Sequence, residues 1–163
     1  MFKNVPAQML DTMPRGEVDA RLPSQAILTC NKPIPLRLIM RNLKPLGKQQ
    51  LYLMFLQMNL IGSTEVRALD VKRVETSSWV IMRVNGLAVP IGTLGDDMRT
   101  ETVVDKRLWD KTPPPNTVAP SFRACNLTRS YELEIRVGLG YGAPGNIQVC
   151  QVPSHWLEVI YIY

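Results

Sequence analysis

The chain has 163 residues, 45% hydrophobic and 20% charged, a balance that suits one folded domain with a sizeable core and excludes a disordered chain. Its net charge of +5 is moderate and dispersed, so it permits an acidic partner without requiring one. The apolar runs are too short to span a bilayer and the first residues lack the apolar centre of a signal peptide, which points to a cytoplasmic protein.

Residues 1–24 carry Pro6, Pro14 and Pro23, mixed charges and no clean periodicity, and are read as a tail or interdomain connector preceding a folded domain over 25–163. Strands are then expected at 26–30, 34–43, 50–61, 64–75, 78–84, 88–91, 101–107, 121–126, 130–139, 146–152 and 156–162, with no helix between them. Two segments carry the period-two signal best. Ile34, Leu36, Leu38 and Met40 alternate with Pro35, Arg37, Ile39 and Arg41, and Tyr131, Leu133, Ile135, Val137 and Leu139 alternate with Glu132, Glu134, Arg136 and Gly138. Each describes a strand with one buried and one wetted face. Many short strands separated by turn residues predict an all-β fold, an immunoglobulin-like antiparallel β-sandwich.

Chemistry-bearing motifs are sparse. Gly140, Gly142 and Gly145 have the spacing of a dinucleotide-binding loop, but the residues after them, Asn-Ile-Gln-Val-Cys-Gln-Val-Pro, are strand-like. A phosphate-cradling loop needs a helix to begin there, so a glycine-rich hairpin is expected instead. One histidine, His155, and no nucleophile elbow leave no catalytic set to assemble, so no catalytic residue, metal site or cofactor is assigned. Cys30, Cys125 and Cys150 are too scattered for a disulfide framework and are expected as reduced core residues. Trp79, Trp109 and Trp156 are expected in core or edge packing, and Pro113-Pro114-Pro115 as a stiff connector rather than a ligand for an SH3 or WW domain.

Two surfaces are candidates for binding. Arg37, Arg41, Lys44 and Lys48 form the densest basic cluster and would meet an anionic partner, either phosphorylated or acidic peptide or lipid headgroups; without interleaved aromatics they do not suggest nucleic acid. Leu51, Leu53 and Phe55 belong to a segment apolar on both faces and are the candidate apolar interaction face, open to self-association or another partner.

The succession "LPSQAILTCNKPIPLRLIMRNL", "LYLMFLQMNLIGSTEVRA", "SSWVIMRVNGLAVPIG", "VAPSFRACNLTRSYELEIRVGLG" and "WLEVIYIY" resembles the C-terminal domain of arrestin-like proteins, particularly the fungal arrestin-related trafficking adaptors, over about residues 22–163. The resemblance implies an adaptor, not an enzyme: a scaffold that links cytosolic parts of membrane proteins to trafficking or ubiquitylation machinery in endocytosis. Family members pair this domain with an N-terminal sandwich and recruit a WW-domain ubiquitin ligase. Neither that sandwich nor a PPxY or LPxY motif is in this sequence, so a ligase would be reached through other regions of a full protein. Asp96 and Asp97 stand in a loop comparable to one near the family's domain interface and are read as solvated loop acids. The alternative is a structural or oligomerising sandwich subunit of a retromer-like sorting coat. Either reading places the chain in the cytoplasm, at most peripheral to the plasma membrane or endosomes.

Overall fold

The computed structural model describes residues 16–43, 49–93, 97, 99–143, 146–151, 154–159 and 161–162. Within them the chain is all-β, with one short 3-10 turn at Lys106–Leu108 capped by the Asp105 carboxylate, which accepts from the Arg107 N–H at 2.9 Å. The expected antiparallel sandwich is present. One layer has the strand order β1 (Gly16–Arg21), β3 (Arg37–Asn42), β6 (Glu101–Val103). The other runs β10 (His155–Val159), β8 (Leu127–Ala143), β4 (Gln50–Ala68), β5 (Val71–Ile91), with β7 (Phe122–Arg123) and β9 (Asn146–Gln151) also pairing with β8. A small parallel pairing joins β2 (Ile27–Leu28) to β11 (Tyr161–Ile162).

The two alternations seen in the sequence build the core. Val18 and Ala20 of β1 and Leu38 and Met40 of β3 face Leu51, Leu53, Leu56, Met58 and Leu60 of β4 and the odd-numbered residues Tyr131 to Leu139 of β8, all of them buried. Trp109 fills the same core, and Pro114 and Val118 are buried with it, so the triple proline is packed structure. The Pro114 carbonyl accepts from the Asn31 N–H at 3.1 Å.

Several boundaries differ from expectation. Gly16–Arg21, inside the presumed tail, form β1 and pair residue for residue with β3, from Gly16 opposite Asn42 to Arg21 opposite Arg37. The segment has only Val18 and Ala20 on its inner face, too little apolar contrast to stand out. The break expected after Ile61 does not exist: Gly62 lies mid-strand, where an added Cβ would sit 2.5 Å from the Arg129 guanidinium and 2.8 Å from the Tyr131 ring. It is a close-approach glycine, not a turn glycine. The strands expected at 64–75, 78–84 and 88–91 are therefore redistributed between β4 and one continuous β5, with irregularities where the register shifts at Leu53/Phe55 and Met58/Asn59. Before β3, Pro33 and Pro35 remove two backbone donors, and the ladder starts only at Arg37. The glycine-rich loop is the expected hairpin: β8 runs through Ala143, which pairs with Asn146 of β9. Cys125 is a correction, since it is exposed in the β7–β8 turn; Cys30 is half-buried against the core. The Cys150 side chain lies outside the described residues.

The β4–β5 connection is a two-residue turn, Leu69-Asp70, between the paired residues Ala68 and Val71. Leu69 holds φ at 54° with its side chain fully exposed, a conformation that favours glycine or asparagine. Leu69→Asn is expected to raise stability by about 0.5–1 kcal/mol, measured as a higher urea midpoint with an unchanged slope.

Candidate functional site

The β1–β3–β6 layer carries charge on its outer face, and most of it is internally neutralised. Arg41, half-buried at the centre, lies 2.6 Å from Glu101 of β6, 3.1 Å from Asp19 and 4.0 Å from Glu17 of β1. Asp19 also takes Arg21, and hydrogen bonds from these two guanidinium groups, Arg21 first, hold its carboxyl below the ordinary range. Arg41 is thus a structural cation, not a free one for an anionic partner. This corrects its place in the basic cluster: three acids brought in from two neighbouring strands surround it. Lys44 and Lys48 lie outside the described residues.

Arg37 is different. It is exposed at the start of β3 and forms no ion pair among the described residues. Beside it runs an open groove of about 610 Å³ lined by Leu36, Arg37, Val103, Val104, Asp105 and Lys106. Its apolar side is the buried Leu36 and Val104 with the exposed Val103. Asp105 is exposed but engaged by its own cap, where hydrogen bonds from the Arg107 side chain and backbone hold its carboxyl low. Arg37 and Lys106 therefore give the groove a net positive rim. The groove lies at the end of β6, between Val103–Lys106 and the entry to β3 at Leu36 and Arg37; β6 is the outer strand of its layer among the described residues, and the Val104 N–H extends the ladder by donating to the Leu38 carbonyl at 2.9 Å. An apolar strip, a strand edge and two cations, the edge and the cations without partners among the described residues, can hold an extended segment carrying acidic groups.

The apolar candidate face is a second correction. Leu51 and Leu53 are 2% and 0% exposed because β4 is a central strand, flanked by β5 and β8, and these leucines point into the sandwich. Phe55 is half-buried, and its Cβ lies 2.9 Å from where a Cβ on Gly138 would be. The doubly apolar pattern marks a strand whose Leu51 and Leu53 face the core while Tyr52, Met54 and Phe55 on its other face are half-buried, so the two leucines are spent within the fold.

Sequence reasoning missed a polar chain on the outer face of the larger sheet. Gln57 Nε2 donates to Asn59 Oδ1 at 2.9 Å, Asn59 Nδ2 to Glu134 Oε2 at 2.8 Å, and Arg136 Nε to Glu134 Oε1 at 2.9 Å. Glu134 is only 4% exposed. Burial pushes its carboxyl up, but the Asn59 amide and the Arg136 guanidinium outweigh that and hold it below its ordinary value of 4.5. The wet-face alternation predicted the direction of this side chain, and no local signal predicts its burial. On the inner face, the Nδ1 of the half-buried His155 has no hydrogen-bond partner among the described residues. No group of three or more metal-ligating side chains stands together there either.

Because the folded-state pKa of Glu134 is depressed, its stabilisation is present above the ordinary glutamate value and is lost as pH falls through the depressed one. Glu134→Gln is expected to cost about 1–3 kcal/mol at neutral pH. It should also flatten the decline in melting temperature below pH 4.5, read from thermal unfolding of both proteins across pH.

No protein-family model and no curated protein matches the chain. Among solved structures it is similar to Spo0M, the sporulation control protein of Bacillus subtilis, with 8% identity over 88% of this chain and a TM-score of 0.42. The aligned part spans about half of that protein, 48% of its length. Among the described residues no helix is long and apolar enough to cross a membrane.

Proposed function

We propose that the chain is an arrestin-type protein-binding domain, an adaptor scaffold rather than an enzyme, that holds extended acidic segments of other proteins along the β6 edge. The observation that carries this reading is the groove in which Arg37 and Lys106, both free of ion pairs among the described residues, flank an apolar strip beside an open strand edge. The order of sequence segments that resembles arrestin C-terminal domains supports the same reading. In that setting the segments are cytosolic parts of membrane proteins, and other regions of a longer protein supply the link to trafficking or ubiquitylation machinery. A second reading, an oligomerising subunit of a sorting coat, is favoured by the length of β5 at the edge of the larger sheet.

The test is binding of fluorescent peptides in which Glu or phosphoserine alternates with Val, compared with Lys-Val peptides of equal length. Acidic peptides should bind with an affinity that falls as salt rises. Arg37→Glu combined with Lys106→Glu should weaken them by about tenfold or more with the melting temperature unchanged. Equal binding of acidic and basic peptides, or indifference to the double substitution, rejects the groove as the binding site.

A further inference from the structure

We infer that β5 is a self-recognition edge: two copies of this chain pair antiparallel through residues 71–77, about a two-fold axis at Val74.

β5 is 21 residues long and has β4 as its one neighbour among the described residues, so its outer side presents backbone donors and acceptors without ladder partners. The strand is not uniform. Over 81–91 it is broken by both register shifts, by positive φ at Gly86 (64°) and Ala88 (49°), and by Pro90, features that spoil an edge for pairing. Over 71–80 the ladder with β4 is unbroken, from Ala68 opposite Val71 to Asn59 opposite Val80. This half extends past the core, and residues 71–78 are all exposed. Val71 and Val74 are 68% and 50% exposed, so both an open ladder and apolar surface are available at the same place.

The side chains select the partner. Arg73 and Glu75 share one face and lie 2.8 Å apart, with 75% and 66% of their side chains exposed. In an antiparallel pairing of two identical strands about a perpendicular two-fold, the residue on the axis meets itself and its neighbours meet one another's counterparts. An axis at Val74 puts Arg73 opposite the partner's Glu75 and Glu75 opposite the partner's Arg73. Val74 then meets Val74, and Lys72 meets Thr76. An axis one residue earlier or later sets Arg73 or Glu75 against itself, and axes at Thr76 or Ser77 bring no opposite charges face to face. Of the axes from Arg73 to Ser77, the Val74 register alone converts the charges that would otherwise guard this edge into two reciprocal ion pairs around an apolar centre. The sequence of the strand is thus complementary to its own copy.

Sedimentation of the purified chain over a wide concentration range, without added peptide, tests this independently of the β6 groove. A concentration-dependent dimer is expected. Arg73→Glu and Glu75→Arg, each of which sets like charges opposite each other twice, should weaken it by about tenfold or more, and the chain carrying both should recover it. Oxidation of Val74→Cys, with Cys125→Ser in the same chain, should yield a disulfide-linked dimer. Thr76→Cys in that background should not, because the two residues would be about 13 Å apart. A monomer at every concentration, a dimer indifferent to the charge exchange, or equal cross-linking at both positions overturns the assignment.

Discussion

The extent of this sandwich is set where Gly62 of β4 lies between Tyr131 of β8 and Ser77 of β5. The missing Cβ leaves the space taken by the Tyr131 ring and the Arg129 guanidinium. Arg129 lies 5.6 Å from the Trp79 ring centroid and 4.9 Å from that of Tyr131, and it donates to the Tyr131 hydroxyl at 3.1 Å and to Thr64 Oγ1 at 2.5 Å. The Tyr131 hydroxyl in turn donates to the Ala119 carbonyl, which ties the long segment after Trp109 to the sheet. A cation satisfied by two ring faces and two hydroxyls needs no carboxylate and tolerates partial burial. On one side of this joint the sheet covers a core; on the other it runs into solvent. Any side chain at Gly62 would push the ring and the guanidinium apart and move the end of the core.

The two layers treat charge differently. On the smaller layer Arg41 draws acids from β1 and β6 and stitches three strands together at an exposed face, where each pair contributes little alone but the set fixes register. On the larger layer Glu134 is buried and needs the full chain from Gln57 through Asn59 to be tolerated, so that group specifies the pairing of β4 with β8. Charges placed in these two roles are unavailable for binding, which is why the open rim cations Arg37 and Lys106 carry the functional reading.

The fold class was legible because the strongest signal in the sequence, the alternation from Tyr131 to Leu139, belongs to the strand with the most neighbours. Strand boundaries were less legible where one residue type serves two purposes. Glycine marks turns and also close approaches, and Gly62 is of the second kind; Leu69 makes a turn that its chemistry does not announce. The candidate site was legible only for Arg37. What neutralises Arg41 is up to 60 residues away in the chain, and what covers Leu51 and Leu53 is the opposite layer, so neither fact exists along the sequence. Lys106 escaped notice because its role depends on Asp105 turning to its own helix cap.

The outer strands show why edges, rather than a cavity, define this domain. A sandwich of this kind must guard strands that lack a second neighbour, and guarding has visible forms: shortness, bulges, proline and positive φ. β6 is guarded by being three residues long, which leaves room for a short extended segment and little else. The half of β5 nearest the core is guarded by both register shifts, Gly86, Ala88 and Pro90. The outer half has none of these, and Arg73 and Glu75, opposite in sign and separated by one valine, repel a generic strand less than they attract a copy of themselves. A stretch that evades every guard found elsewhere on the same strand, and carries a self-complementary pattern where the guards stop, is explained by pairing better than by neglect.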